Sequence, residues 1–256
     1  MTSPRTDSAG QPWEGRRLEP NANAADDGSA PPAYLAAHAA LRAGEATLRQ
    51  VVDAVRDCRF LIPLVAVEGA GPTQLSESGM RIDGSQELSI ITVSGPDGRA
   101  ILPVFSSVAA MSHWRPDARP VPADAVRVAL AAASENTDRI VIDARSETEL
   151  VLPRPAVWAI AQQAPWVPAV EDDAVLEAIA RPAEAHAEVW AASLIAGDPL
   201  GRGTEPEVIV RLAIEPGLAP ERLRDIVGAL SAAWAADATV AERIDSLSVQ
   251  PIAAPR

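Results

Sequence analysis

The stretch Glu87–Ser106, ELSIITVSGPDGRAILPVFS, constrains the fold of this chain more than any other. Two apolar, β-branched runs flank Gly-Pro-Asp-Gly, and a turn of that chemistry between strand patterns makes a hairpin. Elsewhere helical and strand patterns alternate, so a hairpin in their midst predicts a mixed sheet rather than a purely parallel one. The expected class is α+β: a mixed β-sheet N-terminal domain packed with helices, followed by a smaller ββαβ C-terminal domain.

Residues 1–32 are rich in Pro, Gly, Asn, Asp and Ser and read as a disordered tail with little to bury. A first domain is expected over 33–165. It opens with Tyr34, Leu41, Leu48 and Val55 at seven-residue intervals, the apolar stripe of one long helix or of two helices broken at Gly44. "RFLIPLVAV" is a buried-type strand whose Pro63 hints at an edge or a bulge. "PADAVRVALAAAS" reads as a helix with Pro122 in its first turn, and "RIVIDA", "ELVL" and "RPAVWAIAQQ" as strand, strand and helix. Prolines and an acidic run over 166–184 suggest a linker with a short helix. The second domain, 185–256, should hold two strands ("HAEVWAASL", "EVIVRLAI"), a helix over Pro220–Ala236 and the strand "RIDSLSVQPI".

Composition narrows the chemistry. Hydrophobic residues make up 48% of the 256, but aromatic residues only 4%, so aliphatic side chains must fill the cores. No apolar run approaches the ~18 residues of a membrane helix, and the first residues lack the apolar centre of a signal peptide. A cytoplasmic protein with no membrane partner is expected. The single cysteine, Cys58, cannot form an internal disulfide, a CxxC pair or a zinc ribbon. There is no lysine, which removes Schiff-base chemistry and the P-loop. A net charge of −13, with no basic run longer than Arg16–Arg17, argues against nucleic acid as a partner.

The segment "DGRAILPVFSSVAAMSHWRPDARPVP" resembles the SseB family (enhanced serine sensitivity protein B) in its DGR turn, its strand ending in Phe and Ser, and its Trp-x-Pro and Arg-Pro-Val elements. "CRFLIPLVAV", "RPAVWAIAQ" and "RIDSLSV" extend the likeness from about Leu41 to Val249. The resemblance implies a soluble bacterial protein with N-terminal and C-terminal domains of α/β type. It attaches no defined reaction or catalytic set, so no family active-site residue is transferred.

Ser106 and Ser107 follow a strand and precede a helix, the place of a hydrolase nucleophile. That elbow needs small residues, usually Gly, on either side of the serine, whereas Phe105 and Val108 stand here. Capping the helix is the expected role. His38, His113 and His186 lack metal-ligand spacing, and Cys58 is expected to pack rather than react. No catalytic residue, metal site or cofactor is therefore expected. Asp143, at the carboxyl end of a strand, sits where open α/β sheets hold ligands. "HWRPDARPVP" is held extended by prolines and offers Trp114, Arg115 and Arg119 to a carboxylate, unless Asp117 takes an arginine first. Trp114, Arg115, Arg119 and Asp143 are thus the expected contacts to a protein partner or a small carboxylate-bearing ligand. The expected function is a non-enzymatic interaction or regulatory module. The alternative is an amino-acid-linked enzyme or amino-acid sensor with a groove at Trp114–Arg119.

Overall fold

The computed structural model describes residues 26–68 and 86–254; residues 1–25 of the expected tail lie outside these. The heptad stripe splits into α1 (Pro32–Ala43) and α2 (Leu48–Arg56). Gly44 ends α1 with φ 75°, a left-handed conformation that glycine adopts without strain. Thr47 and Gln50 then start α2 with a reciprocal capping box. Tyr34, Leu41 and Val55 are buried, and Tyr34 meets Phe60 edge to face at 5.7 Å.

The sheets are built around β1 (Arg59–Glu68). The run ELSIITVS does not form one strand. Its first part, in β2 (Gln86–Ile90), pairs antiparallel with β1, while β3 (Val93–Ser94) makes the expected hairpin with β4 (Ala100–Val104). Gly95 N–H donates to the Arg99 carbonyl at 2.8 Å to close the turn. The short helix α3 (Val108–Trp114) follows β4.

Next comes β5 (Arg119–Asp124), antiparallel to β1, and only then α4 (Ala125–Ser134). This corrects the helix expected from Pro122. Pro122 lies opposite Leu61 inside the strand, and the side chain of Asp124 caps the helix by accepting from Arg127 N–H at 2.8 Å. Pro120 and Pro122 alternate, so both missing N–H groups fall on one side of the strand. A strand at the edge of the sheet tolerates that, whereas a central one does not.

β6 (Arg139–Ile142) runs parallel to β4, and β7 (Leu150–Leu152) antiparallel to β6, which gives the mixed order β3-β4-β6-β7. Leu61 and Phe105 exchange backbone hydrogen bonds of 2.8 and 2.9 Å and join this sheet to β2-β1-β5. Pro63 lies between that bridge and the start of β2 pairing at Leu64, where no ladder bond is lost. α5 (Arg154–Ala161) closes the domain, and α1, α2, α4 and α5 contribute to one aliphatic core with β1, β4, β6 and β7.

Trp166 belongs to that core and Ala169 to a second one, so the chain passes between domains within a few residues. α6 (Asp173–Ala183), in the stretch read as linker, buries Val175, Ala178, Ile179 and Ala183 in the second core. There it joins β8 (Val189–Ala196), β9 (Val208–Ile214), α7 (Pro220–Ala236), α8 (Ala238–Arg243) and β10 (Leu247–Ala253). β8 is antiparallel and β10 parallel to β9; the parallel pair needs the long crossover that α7 and α8 supply. Trp234 is buried on α7, and its indole N–H donates to the Ile179 carbonyl at 3.1 Å. Among the described residues no helix is long and apolar enough to cross a membrane.

Candidate functional site

The residues nominated from sequence fall into an interior group and a surface group. Asp143 follows β6 with φ 52° and is fully buried. Its carboxylate accepts from Ser106 N–H at 2.7 Å, Ser106 Oγ at 2.6 Å and Thr148 Oγ1 at 2.8 Å. Three short, charge-assisted bonds account for a buried carboxylate that pairs with no cation among the described residues. Ser106 is itself buried, so its hydroxyl is a donor to Asp143 rather than a nucleophile presented to a cleft. Ser107 caps α3 by accepting from Ala110 N–H at 3.1 Å, as expected.

Other reactive side chains are committed in the same way. Cys58 donates to the Ala54 carbonyl at 3.1 Å, and burial pushes its thiol up. His38 is buried and accepts from Arg42 Nε at 3.2 Å; burial holds it below the ordinary imidazole range. Among the described residues no cluster of three or more His, Cys, Asp or Glu is placed to hold a metal ion.

The surface group lies between α3 and β5. Trp114 packs half-buried on Phe105, with ring centroids 5.1 Å apart, beside Met111 and Ala118. Arg115 Nε donates to Asp117 Oδ1 at 3.0 Å, both side chains largely exposed. Arg119 is exposed and makes no ion pair with a described residue. The structure therefore keeps Trp114, Arg115 and Arg119 close along the chain and sets Asp143 apart from them, inside the fold. Residues 26–31, read as the end of the tail, lie against this domain: Asp26 pairs with Arg59 at 2.6 Å, and Val108 N–H donates to the Gly28 carbonyl at 2.9 Å.

Residues 33–159 match the model of the SseB protein N-terminal domain. The chain belongs to the SseB family. Searches of curated proteins and of solved structures find no match. All the nominated residues lie within the span of the SseB N-terminal domain; the features that sequence reasoning missed lie at its junction with the C-terminal sheet, and on that sheet.

At the junction, Arg139 and Arg99 of the SseB domain converge on Asp245, in the loop before β10. Arg139 Nε reaches Asp245 Oδ2 at 2.7 Å, Arg99 Nη1 reaches Oδ1 at 3.1 Å, and Asp97 pairs with both arginines at 2.8 Å. Burial raises the Asp97 carboxyl, but its bonds to Arg99 and the Arg139 charge outweigh this and hold it at about 2. Arg154, stacked 5.0 Å over Trp158, donates to the carbonyls of Ala241 and Ile244.

The C-terminal sheet has one covered and one open face. Val208, Val210, Leu212 and Ile214 face the helices and are buried. Their alternates on β9, Ile209, Arg211 and Ala213, stand beside Ile195, Ser193 and Ala191 of β8 and Ser248, Gln250 and Ile252 of β10. Trp190, at a bulge in β8, is 55% exposed, and Ile252 is 39% exposed. Among the described residues the Arg211 guanidinium donates only to neutral Gln250, at 3.2 Å. Alternation along the strands could have flagged this face, but which set of alternates the helices cover is a tertiary fact.

Proposed function

We propose that this SseB-family chain is a non-enzymatic interaction module that takes a protein partner on the open face of its C-terminal sheet. The partner's contact is an apolar segment carrying a carboxylate for Arg211. One observation carries the reading: an uncovered sheet face joins exposed Trp190 and Ile252 to a central arginine that has no carboxylate partner among the described residues. Apolar area flanking a single cation suits recognition by complementarity, with the aromatic side chain as anchor. The commitment of Ser106, Cys58 and His38 to internal bonds supports an interaction role over an amino-acid-linked enzyme.

A photo-crosslinking p-benzoylphenylalanine at position 190, expressed in the native host, tests the reading. Position 130 on α4 is the control, because Leu130 is 54% exposed in the other domain. One discrete adduct is expected from position 190, absent from 130 and lost with Arg211→Glu. An adduct of twice the chain's mass would make the partner a second copy. Identical adducts from both positions, or none from position 190, would overturn the proposal.

A further inference from the structure

A cavity of about 300 Å³ lies between the domains, away from both the Trp114–Arg119 segment and the open sheet face. The turn between α1 and α2 forms one side of it. The segment around the turn Ala169–Glu171 and the loop from β8 to β9 form the others. Its walls are mostly apolar, from Leu41, Leu48, Val170, Leu200 and Val208. This size is at the lower end of small-molecule sites, which combine apolar walls with a few placed polar groups.

Two of the residues lining it each carry a buried polar atom that is unsatisfied among the described residues. The indole Nε1 of Trp166 is buried with no hydrogen-bond partner among the described residues, and Trp166 is only 4% exposed. The Oε1 of Glu207 is likewise buried and unpartnered, while its other oxygen accepts from Asp245 N–H at 2.6 Å. A buried polar group left without a bond is costly, a cost that a bound group can recover. The charged lining is acidic in balance. Glu171 is paired with Arg49 at 2.9 Å near the surface, and Asp198 caps the backbone N–H groups of Arg202 and Gly203, so the unmet demand falls on Glu207.

The geometry points to this cavity as a binding site for a small apolar organic cation, an alkyl- or arylalkylammonium whose N–H groups meet Glu207. The apolar body lies against the leucine and valine walls. An acceptor on the ligand, where it has one, takes the Trp166 indole N–H. A carboxylate of the same size is disfavoured by the acidic lining. Burial pushes the Glu207 carboxyl up to about 7. Around it stand Asp245 from the loop before β10, Arg139 from β6 and Arg154 from α5, with Asp198 on the cavity wall. An ammonium favours the ionised form, so its binding expels a proton at mildly acidic pH and strengthens as pH rises from 6 to 8.

The test titrates the full chain by calorimetry with three probes of one shape: n-pentylamine, 1-pentanol and pentanoate. Pentylamine should bind saturably, about tenfold tighter than pentanol, and pentanoate should not bind. Glu207→Gln keeps an acceptor for Asp245 N–H and should remove the amine's advantage, leaving pentanol unchanged. Ala46→Phe, which projects bulk into the cavity, should abolish binding of both while near-UV circular dichroism confirms the fold. Absence of saturable amine binding, equal binding of amine and carboxylate, or amine affinity unchanged in both variants would each overturn the inference. None of these results bears on crosslinking from position 190.

Discussion

Arg139 and Asp245 meet across the domain junction, Nε to Oδ2 at 2.7 Å, with side chains only 8% and 3% exposed. A charge so enclosed is tolerated only while its partner is present, and here Arg99 and Asp97 complete the arrangement. Asp245→Ala leaves Arg139 buried without its main counter-charge and should cost about 3–5 kcal/mol in urea unfolding. It should also separate the melting of the two domains in calorimetry. A loss below about 1 kcal/mol would mean that apolar packing alone holds the junction.

Ser106 and Asp143 form a structural pair, so their variants should change stability rather than an activity. Ser106→Ala removes one buried donor and should cost about 2 kcal/mol. Asp143→Ala strands three donors and introduces strain at φ 52°, so its loss should exceed that of Ser106→Ala. A serine-directed fluorophosphonate should not label the folded protein. Labelling that Ser106→Ala abolishes would show the hydroxyl to be a nucleophile.

The Trp114–Arg119 segment should divide by residue. Trp114→Ala uncovers Phe105 and Met111 and should cost about 2 kcal/mol. Arg115→Ala with Arg119→Ala removes one exposed ion pair and one exposed cation that pairs with no described residue. Its thermal midpoint should stay within the error of wild type, because such pairs are worth about 0–1 kcal/mol. A pull-down with the double variant then reports directly on whether this segment touches a partner.

Glu207 and Asp97 should give stability opposite pH slopes. The Glu207 carboxyl stands at about 7 in the folded protein against an ordinary 4.5, so the folded state holds its proton more tightly than the unfolded chain. Its contribution is complete below about pH 4.5 and is lost as pH rises through about 7. Asp97, held at about 2 against an ordinary 3.8, contributes above that ordinary value, and its share is lost as pH falls towards 2. Thermal midpoints of Glu207→Gln should therefore fall less than wild type between pH 5 and 8. Those of Asp97→Asn should fall less between pH 4 and 2. Parallel wild-type and variant curves would refute the assignment.

Much of the fold was legible because it rests on local rules. The Gly-Pro-Asp-Gly hairpin, a serine cap on α3 and Pro220 at the start of α7 each depend on a few neighbouring residues, and Gly44 made the split between α1 and α2 one of two readings. Pro122 misled because proline suits both a helix's first turn and an edge strand. The pairing of β5 with β1, distant along the chain, decided between them. The run ELSIITVS was likewise divided by which strand each half could reach.

The candidate sites were far less legible. Asp143 could be nominated from its place after a strand, but nothing near it in sequence shows that Ser106 and Thr148 would enclose it. Glu207 and Trp166 sit in no quoted motif, and Asp245 sits in RIDSLSV without any local sign of its role; each becomes notable only where two domains exclude water from it. By itself the sequence determined most of the element types, the mixed α+β character, the membership suggested by the linked segments around Trp114, and the chemistries that a lysine-free chain with one cysteine forgoes. Only the tertiary structure decided which carboxylates are satisfied, which polar atoms are stranded beside a cavity and which sheet face stays bare. Those depend on burial, and burial is set by contacts between residues many positions apart, which local sequence pattern does not encode.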